Sequence, residues 1–143
     1  RFGAVEADVL WPTRAQDSSE PSGNNDSLVL RLRYGQRTFL LTGDIERQAE
    51  AALVNDPAEL RSDVVKVAHH GSKTSSMEAF VKATHPSYAV ISVGLDSVFG
   101  HPHQEVVERW RASGAQVLTT GQRGTITIST DGTDLKVETL VKQ

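Results

Sequence analysis

The sequence contains no cysteine. That excludes disulfides, a thiolate nucleophile and cysteine-ligated zinc, so any metal must be held by His, Asp, Glu, Asn or water. No apolar run approaches the roughly 20 residues needed to cross a bilayer, and the chain opens on no secretory leader pattern. It begins directly on RFGAVEADVLWP, which reads as a segment cut from something longer. There is no cationic surplus: 15 Lys and Arg face 18 Asp and Glu, for a net charge of −3. A wide electrostatic footprint on nucleic acid needs a basic face, although bound divalent ions reverse the sign locally. No G-x-S-x-G elbow, P-loop or G-x-G-x-x-G is present, so neither a serine hydrolase nor a nucleotide cofactor is expected. Internal repeats, heptads and low-complexity tracts are absent as well.

What is there is an alternation of strand-like and helix-like stretches in 143 residues, a length suited to a single domain or a fragment of one. Ala4–Leu10 alternates as a strand and Pro12 stops it. The polar stretch Thr13–Asp26 reads as a surface loop. Leu28–Arg33 and Thr38–Leu41 form a hairpin around Gly35, the second strand apolar throughout and therefore central. Ile45–Val54 has helical periodicity, with Asp44 where an N-cap would stand. Asp63–Ala68 is a buried strand. Ser75 and Glu78 have capping-box spacing, before a helix that ends near His85. Tyr88–Val93 is a strand, Gln104–Ser113 a helix with Val106, Val107 and Trp110 inward, and Ala115–Thr120 a strand. A final hairpin joins Thr125–Thr130 to Leu135–Leu140 through Asp131 and Gly132. This order predicts an α/β sheet with crossover helices.

The polar residues that carry chemistry collect just after the buried strands. VVKVAHHGS ends in His69, His70, Gly71 and Ser72. LLTGD ends in Asp44, and GHPH carries His101 and His103. Strand ends of an α/β sheet bring such groups to one edge. A carboxylate with two or three imidazoles is a ligand set for zinc, manganese or iron. Adjacent histidines on extended backbone point opposite ways, so at most one of His69 and His70 is the expected ligand, and the other either supports the ligands from behind or faces a substrate. Such an ion lowers the pKa of bound water to about 7, and a neighbouring His protonates the leaving oxygen. Esters, amides and phosphodiesters all suit that pair, and the spacing does not choose among them.

The stretches NNDSLVLRLRYGQRTFLLTGDIE, DVVKVAHHGSKTSS and YAVISVG…FGHPH, in this order, resemble the C-terminal metallo-β-lactamase-like domain of ComEC-type DNA internalisation proteins. The resemblance runs from about Leu10 to about Gly132. It implies the αββα sandwich of metallo-β-lactamases and metal-dependent hydrolysis of DNA, with one or two manganese or zinc ions. It implies metal-ligand roles for Asp44, His101 and His70, with His69 as the alternative to His70. One of the two histidines would be the catalytic acid. Asn25 and Ser27 stand where many relatives carry another histidine, and with Ser72, Lys73 and His103 they are candidate substrate contacts. The early H-x-H-x-D-H motif of the family is not in this sequence. The resemblance therefore implies the second half of the sandwich, with an incomplete metal site and an uncovered sheet face. The implied partners are single- or double-stranded DNA and the channel part of a longer protein. The implied location is a soluble domain on the outer face of a bacterial inner membrane. Two other readings of the same residues are a non-catalytic DNA- or channel-binding module and a metallo-hydrolase of another substrate.

Overall fold

The computed structural model describes residues 3–13, 23–55 and 60–141. Six strands form one mixed sheet in chain order: β1 (Glu6–Trp11), β2 (Val29–Tyr34), β3 (Arg37–Leu41), β4 (Val64–Lys66), β5 (Tyr88–Ile91) and β6 (Gln116–Thr119). The first three are antiparallel meander neighbours, and β3 through β6 run parallel. Parallel neighbours need crossovers, and three helices supply them: α1 (Arg47–Asn55), α2 (Glu78–Thr84) and α3 (Gln104–Ala112). Right-handed crossovers that step the same way put all three on one face. Their apolar stripes meet the sheet there. Ala49, Leu53, Phe80, Val106 and Trp110 pack with Leu40, Val65, Ala89 and Ile91 in a single buried cluster. Full burial of a side chain of this size stabilises by about 1.5–3 kcal/mol, so this cluster is the main reason the layer holds.

The opposite face is less covered. The register aligns Val9, Leu30 and Leu41 across β1, β2 and β3, with Ala7, Leu32 and Phe39 in the next row. Val9 and Leu41 remain 61% and 40% exposed. After β6, the single turn α4 (Thr120–Arg123) leads to a separate hairpin, β7 (Ile126–Thr130) with β8 (Leu135–Thr139). Its tip docks on the β2–β3 turn, where Gln36 N donates to Gly132 O at 2.7 Å and Arg37 donates to Thr133 O. A cavity of about 400 Å³ remains between the hairpin and this face, lined by Val5, Leu32, Phe39 and Thr130 among others. The mixed α/β architecture is the expected one. Of the αββα sandwich, the described residues contain one large sheet, one helix layer and a hairpin.

Three local expectations are corrected. Asp44 does not cap α1, because the helix starts at Arg47; Asn25 Oδ1 instead accepts from Glu46 N at 2.9 Å and Ala49 N at 3.3 Å. The Ser75/Glu78 capping box does not form. Ser75 Oγ donates to Ile45 O, and the orphan amides of Ser76 and Met77 donate to Glu50 of α1 at 2.6 and 2.7 Å. His69 and His70 are not on extended backbone. Both are left-handed, with φ of 48° and 55°, and Gly71 follows at 79°. Most of the Thr13–Asp26 loop, residues 14–22, lies outside the described residues, and so does Pro57. Its end, Gly23–Asp26, is one 3-10 turn.

Candidate functional site

The C-terminal ends of β3, β4 and β5 lie side by side, because these strands are parallel neighbours. Each releases one polar loop at the same edge of the sheet. From β3 come Gly43 and Asp44, from β4 His69 and His70, and from β5 the loop to His101 and His103. The loops are tied by backbone: His69 N donates to Gly43 O at 3.2 Å, and His103 N donates to Gly71 O at 3.0 Å.

His70 is held firmly. Its Nδ1 lies 2.7 Å from Ser92 O. A carbonyl only accepts, so Nδ1 carries the proton and Nε2 of the neutral ring is a lone pair. That lone pair faces Asp44 Oδ1 at 3.8 Å. Two electron-pair donors facing each other at this range suit a shared cation. The carbonyl behind the ring is the support that metal-bound histidines use. Lys66 approaches the same carboxylate, with Nζ 3.8 Å from Asp44 Oδ1 and 3.3 Å from Gly43 O. Burial lowers the Lys66 pKa, and Asp44 partly restores it. A protein ammonium therefore already neutralises part of Asp44.

The remaining rings sit beside this pair. His69 and His101 have centroids 5.8 Å apart, and His101 and His103 5.2 Å. His69 Nδ1 is 3.3 Å from Glu46 Oε1 but off the hydrogen-bond axis, so that contact is electrostatic. The buried Nδ1 of His101 has no hydrogen-bond partner among the described residues. Desolvation first, then the neighbouring His103, His69 and His70, lower the His101 pKa and favour its neutral ring. Neutral imidazole is the form that ligates metal or accepts a proton.

Asp44, His69, His70, His101 and His103 are thus brought together. Asn25, Ser27 and Ser72 have structural partners instead. Asn25 caps α1, Ser27 Oγ accepts from Asp44 N at 3.1 Å, and Ser72 is buried with its hydroxyl on Thr74. Lys73 is exposed and lines a neighbouring cleft of about 460 Å³ with Glu46, Arg47 and Thr74. Sequence reasoning missed Lys66 and Glu46. Lys66 had a signal: it is the one charged residue in the apolar run Val64–Ala68.

Whether these groups fit a divalent ion is decided by donor count. Asp44 and His70 supply two donors with the right chemistry. Among the described residues, no cluster of three His, Asp or Glu side chains is arranged to hold a metal. The described residues thus fit part of a metal site and do not complete one.

The Metallo-beta-lactamase superfamily model matches residues 18–95. The chain is 38% identical over 120 residues to ComE operon protein 3 of Bacillus subtilis, covering 83% of this chain and 16% of that protein. It is 35% identical over 127 residues to Competence protein ComA of Neisseria gonorrhoeae, covering 88% and 18%. It is 33% identical over 106 residues to Recombination protein 2 of Haemophilus influenzae, covering 74% and 13%. The chain therefore spans less than a fifth of each of these relatives. With the matched segment running through the Asp44 and His69–His70 loops, the chain belongs to the metallo-beta-lactamase superfamily.

Proposed function

We propose that this chain is part of a metal-dependent phosphodiesterase that acts on DNA during its uptake. The observation that carries this reading is His70 Nε2 facing Asp44 Oδ1 at 3.8 Å, with the ring anchored on Ser92 O. The name of one relative, Competence protein ComA of Neisseria gonorrhoeae, supplies the setting. Asp44 and His70 would hold manganese or zinc, with His101 reaching the same ion or a second one. The bound ion would supply a hydroxide at neutral pH. His69, next to Glu46, is placed by this reading as the group that holds a proton for the leaving oxygen. Lys73 would meet phosphate oxygens. Donors beyond this chain would complete the ligand set. DNA and the channel part of a longer membrane protein are the proposed partners, with the domain on the outer face of the inner membrane. No helix among the described residues is itself long and apolar enough to cross a membrane.

The test is a calorimetric titration with Mn²⁺ and Zn²⁺, followed by DNA hydrolysis in a longer protein that carries this chain. Asp44→Ala and His70→Ala should each weaken metal binding by about 10- to 100-fold, the size of loss seen even for outer-shell partners, and should abolish hydrolysis. Full-rate cutting by Asp44→Ala would overturn the reading. The Lys66–Asp44 ion pair favours a second reading, a binding module that contacts DNA without cutting it. That reading predicts no hydrolysis at any metal concentration.

A further inference from the structure

We propose that Phe99 is a stacking platform for an unpaired nucleobase, so that this site takes single-stranded nucleic acid; the proposal rests on the DNA-directed reading above. The described aromatic rings otherwise belong to the fold. Trp11, Phe80 and Trp110 are buried, and Tyr34, Phe39 and Tyr88 are half-buried. Phe99 is 77% exposed. It sits in a turn closed by Gly100 N donating to Ser97 O at 3.0 Å, which lifts Val98 and Phe99 off the surface. Val98 and Leu95 beside it are 90% and 71% exposed.

The ring is not loosely placed. It stacks on His101, with centroids 6.1 Å apart and planes 28° from parallel. From His101 the row of rings continues to His69 and His103. A solvent-facing aromatic thus opens a path that ends at the Asp44–His70 pair. A ligand that offers a flat apolar face at one end and, at the other, an anion that a cation held by Asp44 and His70 would attract fits both ends, and a nucleotide unit has that form. Bases inside a duplex have both faces occupied. A base must leave the stack to use a protein ring, and flipped or unpaired bases are held between aromatic and apolar side chains. The net charge of −3 adds weight: the chain has no cationic surplus from which backbone attraction alone would draw its affinity.

The experiment measures binding of the full chain to a labelled oligothymidylate and to an abasic strand of equal length. Calcium serves as the divalent ion. Wild type should prefer the strand with bases. Phe99→Ala should weaken binding to it roughly tenfold, as loss of one stacked base implies, and leave the abasic strand unaffected. Phe99→Trp should retain binding and report it by quenching of a new exposed emitter. Retained emission from buried Trp11 and Trp110 would show that each variant folds. Equal affinity of wild type for both strands would overturn the stacking proposal while leaving the DNA reading intact. No affinity for either strand would overturn both. Loss of binding to phosphatidylcholine vesicles in Phe99→Ala, with DNA binding unchanged, would overturn the proposal in favour of a membrane contact.

Discussion

At the scale of single residues, the site depends on a backbone conformation that side chains rarely adopt. His69, His70 and Gly71 are left-handed in succession. Left-handed conformation costs an L-residue roughly 1–2 kcal/mol, and His is among the types that tolerate it best. Gly71 is the position without latitude. At φ +79° an added Cβ would lie 2.7 Å from Pro102 Cβ. Gly71→Ala should therefore cost about 1–3 kcal/mol in chemical denaturation, and should push the Pro102 loop away from His70. Ring shifts of both His70 and His101 in NMR spectra would report that displacement. The identities of Asp44, His69, His70 and His101 were legible in the sequence, because each follows an apolar run that had to be a buried strand. The geometry of the two adjacent histidines was not. Spacing carries no information on positive φ at a non-glycine residue, and the extended backbone assumed for them gave the wrong directions. Lys66 was overlooked because one lysine in a strand reads as a solvated face.

At the scale of elements, helices α1, α2 and α3 meet on one buried group. Glu50 is fully buried, and its two oxygens accept the Ser76 and Met77 amides that precede α2. Ser76 also receives Trp110 Nε1 on its hydroxyl at 3.1 Å and Arg109 on its carbonyl at 2.7 Å. Desolvation outweighs the two amides, Arg109 and Arg47, and pushes the Glu50 pKa up from 4.5 to about 7. The folded chain then holds a proton that the unfolded chain releases. Its contribution is fully present below about pH 4.5 and is lost as pH rises through about 7, by on the order of 3 kcal/mol. Glu50→Gln cannot titrate. In urea melts, wild type should lose stability relative to Glu50→Gln across this window; parallel curves would contradict the assignment. The capping box was a local pattern, while the group that caps these amides lies 26 residues away. A short-range signature cannot see a tertiary competitor, which is also why Asn25 displaced Asp44 as the cap of α1.

At the scale of the molecule, charge sets how the chain meets a polyanion. Lys66 pairs with Asp44 beside the histidine cluster, and Arg47 and Lys73 line the neighbouring cleft with Glu46. With about two or three phosphates neutralised, log K for a single strand should fall with log salt at a slope near −2, from about −0.7 per contact. A slope near −4 would move the strand elsewhere. The cleft of about 590 Å³ at the other end of the parallel strands, where Arg31, Arg33 and Arg61 line the wall, would then be the surface to mutate. The alternation of strands and helices made the mixed sheet readable, since parallel pairing leaves few topologies open. The docking of the terminal hairpin on the β2–β3 turn was not readable: an added Cβ on Gly35 would lie 2.5 Å from Gly132 O, but two glycines in separate turns do not announce that they meet.

The order of the sheet has one more consequence. Strands β1 to β6 lie side by side in the order in which they occur along the chain. During synthesis each strand after β1 therefore finds one neighbour already outside the ribosome. Assembly can proceed from one edge at the pace of translation. The loops of Asp44, His69 and His101 are then finished in that order, before the terminal hairpin emerges to meet the β2–β3 turn.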